Sequence, residues 1–132
     1  MVMPTFAMST HNSAPVEEVW KLLDDPTAFP EWWEGVETVA PGPTGEYILW
    51  SAGYSDFPVV QQLQCSPGQG RVRISCLVSD VVFRWQLREA GQATAIDVHF
   101  EIPVHEAHRL PGQRRVLERS LKLLANLAAR TC

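Results

Sequence analysis

The chain changes its hydrophobic period partway along, and this limits the fold more than any single motif. Three stretches alternate strictly. Val72, Ile74 and Cys76 oppose Arg71, Arg73 and Ser75. Val81, Phe83, Trp85 and Leu87 oppose Arg84, Gln86 and Arg88. Thr94, Ile96, Val98, Phe100 and Ile102 oppose Asp97, His99 and Glu101. A period of two sends successive side chains to opposite faces of a strand, so each stretch carries one apolar and one wet face. After Pro111 the period becomes helical. Leu117, Leu121, Leu124 and Ala128 form a ridge, which Val116, Leu123 and Leu127 widen. A wide apolar helical stripe needs a partner, and the apolar face of the sheet is the one available.

The rest of the chain extends this pattern. TFAMSTH alternates weakly, as a first strand would. In APVEEVWKLLDDP, Pro15 suits a helix start, and Glu17 and Glu18 complement the dipole of the first turn. Val16, Val19, Trp20 and Leu23 recur at helical spacing, and Asp25-Pro26 stops this helix and can cap another. Pro30 keeps the next helical piece short. PGPTG, SPGQG and AGQ punctuate the strands that follow as turns. The expectation is an α+β fold with about six or seven antiparallel strands, two short helices after the first strand and one long C-terminal helix. Its 132 residues suit one domain, taken as 1–132.

Composition narrows the function classes. The chain is 45% hydrophobic and 20% charged, with a net charge of −4. Nucleic-acid binding needs concentrated positive charge, which argues against it here. No apolar run reaches the roughly 18 residues that span a bilayer, and the N-terminus lacks the cationic start of a signal peptide. Three cysteines, Cys65, Cys76 and Cys132, without a C-x-x-C pair, read as reduced thiols in a cytoplasmic protein.

The stretch HNSAPVEEVWKLLDDPTAFPEWWEGV combines a strand running into Ala-Pro, a helix containing Val-Trp, an Asp-Pro stop and a tryptophan before the second strand. With the Leu-rich C-terminal helix, it resembles the polyketide cyclase/dehydrase-like branch of the START-related superfamily (SRPBCC), which also contains the Bet v 1 allergens. The resemblance spans the whole chain. It implies a helix-grip fold, in which a curved antiparallel sheet wraps a long C-terminal helix with a cavity between them. It also implies hydrophobic ligands such as lipids, sterols and polyketides; some members catalyse cyclisation or dehydration, and others act through protein partners. Fold alone does not choose among these.

Candidate residues follow from parity and composition. Trp32 and Trp33 lie between Pro30 and Gly35. Adjacent side chains on a helix diverge by about 100°. This predicts one ring plugged into the core through Val19, Trp20 or Leu23 and the other at a cavity mouth. The plainer reading makes both core anchors. Inward polar groups are few: Gln61, Thr10, Thr94 and Tyr47 or Tyr54. Such groups orient a ligand by hydrogen bonds rather than act as bases. Trp32, Trp33, Phe57, Phe83, Trp85, Phe100, Leu117 and Leu121 form the expected apolar wall, with Tyr47, Gln61 and Thr94 as polar anchors.

The leading reading is binding, or carriage, of a hydrophobic, ring-containing small molecule. The alternatives are a cyclase or dehydratase acting on a polyketide-like substrate, with Asp56, His105 or His108 as the acid/base group, and a partner-binding domain using Arg71, Arg73 and Arg84 on the convex face. HEAH is not a metal-ligand spacing, so His105 and His108 are not read as ligands. G-x-S-x-G is absent, and Cys65 and Cys76 share faces with apolar neighbours and read as packed thiols. No metal or cofactor is expected, and a homo-oligomer is left open.

Overall fold

The computed structural model of the chain describes residues 5–42, 45–53, 56, 58–77, 80–91 and 93–130. Seven strands form one antiparallel sheet: β1 (Thr5–Asn12), β2 (Val36–Pro41), β3 (Glu46–Ser51), β4 (Val59–Ser66), β5 (Arg71–Cys76), β6 (Val82–Ala90) and β7 (Ala93–Glu101). Their order is β1-β7-β6-β5-β4-β3-β2. From β2 onward each strand pairs with the next, so β2 to β7 is a meander. β1 instead joins the far edge, against β7. The chain must therefore cross the whole sheet between β1 and β2, and it does so through α1 (Val16–Leu23) and α2 (Phe29–Trp32).

Local chemistry sets these helices. Pro15 precedes α1 in extended conformation, and Glu17 and Glu18 sit in its first turn. Asp25 accepts from the Thr27 amide at 3.0 Å and from its hydroxyl at 2.6 Å, capping a 3-10 turn over Pro26–Ala28 that runs into α2. At the other end a 3-10 turn, Val104–Arg109, leads without a break into α3 (Leu110–Arg130). At 21 residues α3 is the longest helix described. It packs against α1, α2 and β1.

The strand parity read from the sequence holds. Val72, Ile74, Phe83, Trp85, Leu87, Ile96, Val98 and Phe100 are buried, as are Leu117, Leu121 and Leu124 of α3. On the outer face Arg84 pairs with Glu101, and Arg88 reaches Asp97 at 2.6 Å. This is the helix-grip architecture. Cys76 is buried as expected, but Cys65 is exposed. It keeps the inward parity, yet β4 loses its cover beyond Leu63, leaving Gln64, Cys65 and Ser66 all open to solvent.

One glycine is fixed by close approach. Gly70 has φ +65°, and a Cβ there would lie 2.4 Å from the Leu87 carbonyl oxygen, on the residue whose amide donates back to Gly70 O at 2.8 Å. Gly70→Ala combines the left-handed penalty of about 1–2 kcal/mol with displacement of a β6 carbonyl. We expect a total loss above about 2 kcal/mol, read by urea unfolding. Gly68→Ala, where nothing lies within 4 Å, should change stability by less than about 1 kcal/mol. Equal effects at both positions would contradict this account of the β5–β6 junction.

Candidate ligand-binding site

The inner face can be built row by row from the strand register. One transverse row runs Tyr47–Gln61–Cys76, because Tyr47 lies opposite Gln61 on β4 and Gln61 opposite Cys76 on β5. The next row runs Leu63–Ile74–Phe83–Phe100–Phe6, and the one after it Cys65–Val72–Trp85–Val98–Met8. The first row is polar and the second wholly apolar.

Tyr47 donates its phenol proton to Gln61 Oε1 at 2.6 Å, and the phenol is 1% exposed. Burial, and secondarily the neighbouring Cys76 thiol, push its pKa far above that of free tyrosine. Tyr47 is therefore a neutral donor and acceptor at physiological pH.

The double tryptophan closes over this face, but not as its spacing predicts. Trp32 ends α2, while Trp33 leaves it with ψ 109°, in extended conformation. That ψ redirects only the chain beyond Trp33; its φ of −87° and the hydrogen bond from its amide to Phe29 O at 2.8 Å keep its Cα–Cβ bond diverging from that of Trp32, yet the rings themselves converge. The two rings stack instead, with centroids 5.2 Å apart and planes 26° apart. Both are buried, at 1% and 8% exposure, which overturns the expected contrast between a core ring and a rim ring. Trp32 Nε1 donates to Leu22 O at 3.0 Å, locking α2 to α1. Trp33 meets Phe83 edge-on at 4.9 Å and Phe29 at 5.3 Å, and Phe29 in turn meets Tyr47 at 5.8 Å. Both tryptophans contact Trp85. Trp85 Nε1 is buried with no hydrogen-bond partner among the described residues.

A latch ties this segment to α3. The Glu34 amide donates to Ser120 Oγ at 2.9 Å, Ser120 Oγ donates to Val116 O at 2.7 Å, and Arg119 reaches Glu34 at 3.0 Å. Neither Ser120 nor Phe29 was singled out from the sequence. Phe29 carried a usable signal, as an aromatic flanked by prolines beside two tryptophans.

The other expected residues are distributed as follows. Phe100 is buried between Phe6 and Phe83, with ring centroids 4.9 Å from each. Leu117 and Leu121 are buried on α3. Thr94 is fully buried, but its hydroxyl donates to Ala14 O at 2.8 Å, fastening β7 to the start of α1. Phe57 and Tyr54 lie outside the described residues. Asp56 is exposed in the turn after β3, and His105 and His108 are exposed on the 3-10 turn before α3. Apart from the Tyr47 phenol and the buried tryptophan indoles, the buried polar residues among those described are Asn12, Thr94 and Ser120, and no group of three or more potential metal ligands forms there. Cys65 has its thiol pKa raised by partial burial and by nearby Asp24, which works against thiolate chemistry. No helix described is long and apolar enough to cross a membrane.

Comparison with known proteins agrees with the helix-grip fold. Residues 3–131 match the family described as polyketide cyclase / dehydrase and lipid transport, and the chain belongs to that family. The comparison with curated proteins returns no match. Among solved structures, the chain is similar to Zhui aromatase/cyclase from Streptomyces sp. R1128, with TM-score 0.79, 15% identity and coverage of 98% of this chain and 95% of that one. It is also similar to a START superfamily protein from Mycobacterium smegmatis, with TM-score 0.76, 14% identity and coverage of 97% and 99%. A protein from Bacillus thuringiensis gives TM-score 0.78 at 14% identity, covering 96% and 99%. Identities this low establish a shared fold and nothing finer.

Two outcomes follow. Trp32→Ala and Trp33→Ala should each lose about 3–5 kcal/mol in denaturant unfolding, as for large aromatics truncated in cores. A loss below about 1 kcal/mol at Trp33 would return it to a rim role. The second concerns pH. The folded state holds Tyr47 protonated, whereas the unfolded chain ionises it near pH 10. Its stabilising effect is complete below pH 10 and is lost as pH rises above it. The stability advantage of the parent over Tyr47→Phe should therefore shrink by about 1.4 kcal/mol per pH unit above pH 10. A constant difference from pH 8 to 11 would mean that the phenol is not desolvated.

Proposed function

We propose that this helix-grip chain binds a hydrophobic, ring-containing small molecule on the inner sheet face, at the Tyr47–Gln61–Cys76 row beside Trp33. The observation that carries the reading is a hydrogen-bonded, neutral polar pair set at the margin of an aromatic surface: Tyr47 to Gln61 at 2.6 Å, with Phe29 against Tyr47 and Trp33 against Phe29. Small-molecule sites combine an apolar wall with a few polar groups that fix orientation. The rings of Phe29, Trp32, Trp33, Phe83 and Trp85 supply the wall. Trp33 is the ring a ligand would replace. It is the C-terminal cap of α2, and the chain turns at Gly35, where φ is +88° and nothing lies within 4 Å of where a Cβ would stand. Membership of a family described by polyketide cyclisation and lipid transport supports the ligand class. Binding is favoured over catalysis because Tyr47 is held neutral and the candidate acid/base groups Asp56, His105 and His108 are exposed. A cytoplasmic setting belongs to the same reading, supported by the free thiols of Cys65 and Cys76.

The test compares 2-naphthol with naphthalene by quenching of tryptophan fluorescence. Naphthol should saturate the signal. Tyr47→Phe and Gln61→Leu should each weaken naphthol about fivefold, the value of one net hydrogen bond of about 1 kcal/mol, and leave naphthalene within twofold. The proposal fails if neither compound saturates, or if both variants bind naphthol as the parent does. Turnover of a polyketide-like substrate that is lost in Asp56→Asn or His105→Gln would favour the cyclase instead.

A further inference from the structure

The outer face of the same sheet holds a recess of about 580 Å³, floored by the backbones of β1, β7, β6 and β5. The register sets two rows of side chains across it: Gln64–Arg73–Arg84–His99 and Ser66–Arg71–Gln86–Asp97. The short side chains of Ala7, Ser9 and Ser66 leave room between the long ones.

Charge is unevenly balanced here. Arg84 pairs with Glu101, and Arg88 with Asp97, which also accepts from Ser9. Among the described residues Arg71 bonds only neutral groups, Gln86 at 2.9 Å and Gln69 at 3.5 Å. Among the described residues Arg73 has no carboxylate partner, and it lies directly opposite Arg84 across the β5–β6 pair. Like charges directly opposite one another destabilise a sheet. Two guanidinium groups are thus left uncompensated on a protein whose net charge is −4. They sit two residues apart on one face of β5, about 7 Å along the strand, within reach of a single ligand.

We propose that this recess is a second ligand site, independent of the inner face, and that it takes a compact dianionic oxyanion of a small molecule, either a phosphate ester or a dicarboxylate. The two free cations set the charge of the ligand. The planar forks of Arg71 and Arg73 suit bidentate oxyanions, and Gln64 and Gln86 flank them as neutral hydrogen-bonding groups. An anion seated there also removes the repulsion between Arg73 and Arg84.

The experiment follows backbone amide shifts of the intact protein by NMR, titrated separately with inorganic phosphate and with succinate at constant ionic strength set by sodium chloride. Saturating shifts centred on residues 64, 71, 73 and 84 are expected with at least one anion. Saturation by phosphate alone identifies the phosphate class, and saturation by succinate the dicarboxylate class. Arg73→Gln should weaken binding at least tenfold, and Arg71→Gln/Arg73→Gln should abolish it. Arg115→Gln, on exposed α3 surface, should leave it unchanged. All three substituted positions are exposed, and an unchanged circular dichroism spectrum checks that the variants fold. Shifts that are linear in concentration, that persist in the double variant, or that appear only with a polyanion such as heparin would each overturn the proposal.

Discussion

The contact of Trp32 and Trp33 with Trp85 is the junction on which the architecture turns. The sheet order forces the segment between β1 and β2 to cross from one edge to the other, and a crossing segment without an anchor would be free to slide. Its anchor is aromatic. Trp32 and Trp33 both meet Trp85 close to perpendicular, at 89° and 75°, the edge-to-face arrangement that aromatic quadrupoles favour. Trp32 also donates to Leu22 O, so the same residue joins α1, α2 and the sheet. α3 completes the assembly through Ser120 and Arg119, which hold the backbone and side chain of Glu34. Loss of this cluster would disconnect the helical layer rather than simply leave a void.

Burial of a satisfied polar pair constrains what can replace it. Tyr47 and Gln61 hydrogen-bond each other beside apolar side chains. A pure hydrocarbon inserted between them would strand a phenol and an amide, each at the desolvation penalty of an unpaired group, about 1–3 kcal/mol. A ligand that brings its own hydroxyl or carbonyl replaces the bond instead of only breaking it. Trp85 Nε1 points the same way. It is a buried donor with no acceptor among the described residues, on the strand that carries Phe83. On the proposed reading, an inner-face ligand that carries oxygen would satisfy these groups, and the rings would suit a flat apolar body.

Parity was legible because it is local. A run such as Val81, Phe83, Trp85, Leu87 fixes which face is buried without knowledge of neighbouring strands, and burial followed it in β5, β6 and β7. Inward placement of Tyr47 and Gln61 was legible for the same reason. Their mutual hydrogen bond was not, since register across β3 and β4 depends on the intervening turn geometry. The stacking of Trp33 on Trp32 was not legible because helical spacing fixes only where the Cα–Cβ bonds point, whereas the ring positions depend on side-chain torsions and on the neighbours Phe29, Phe83 and Trp85. Cys65 was misread because parity says which way a side chain points and nothing of whether anything covers it. Thr94 illustrates a further limit: an inward hydroxyl can serve the backbone, here Ala14 O, rather than a ligand.

The two faces of the sheet are not free to be adjusted separately. One register sets Ile74 opposite Phe83 on the inside and Arg73 opposite Arg84 on the outside. A slip of one residue would separate the two guanidinium groups, but one strand would have to turn over, carrying either Val72 and Ile74 or Phe83 and Trp85 toward solvent. Burying each of these large side chains stabilises by about 1.5–3 kcal/mol, whereas a like-charge cross-strand pair costs about 0.2–1 kcal/mol. The inner face therefore dictates the register, and the outer face accepts the repulsion. Glu101, reaching from β7 to Arg84, relieves part of it. Arg73 retains the remainder, since the carboxylates of β7 are already engaged with Arg84 and Arg88. A charge conflict imposed by core packing and left half-balanced is a physical reason for this face to attract an external anion.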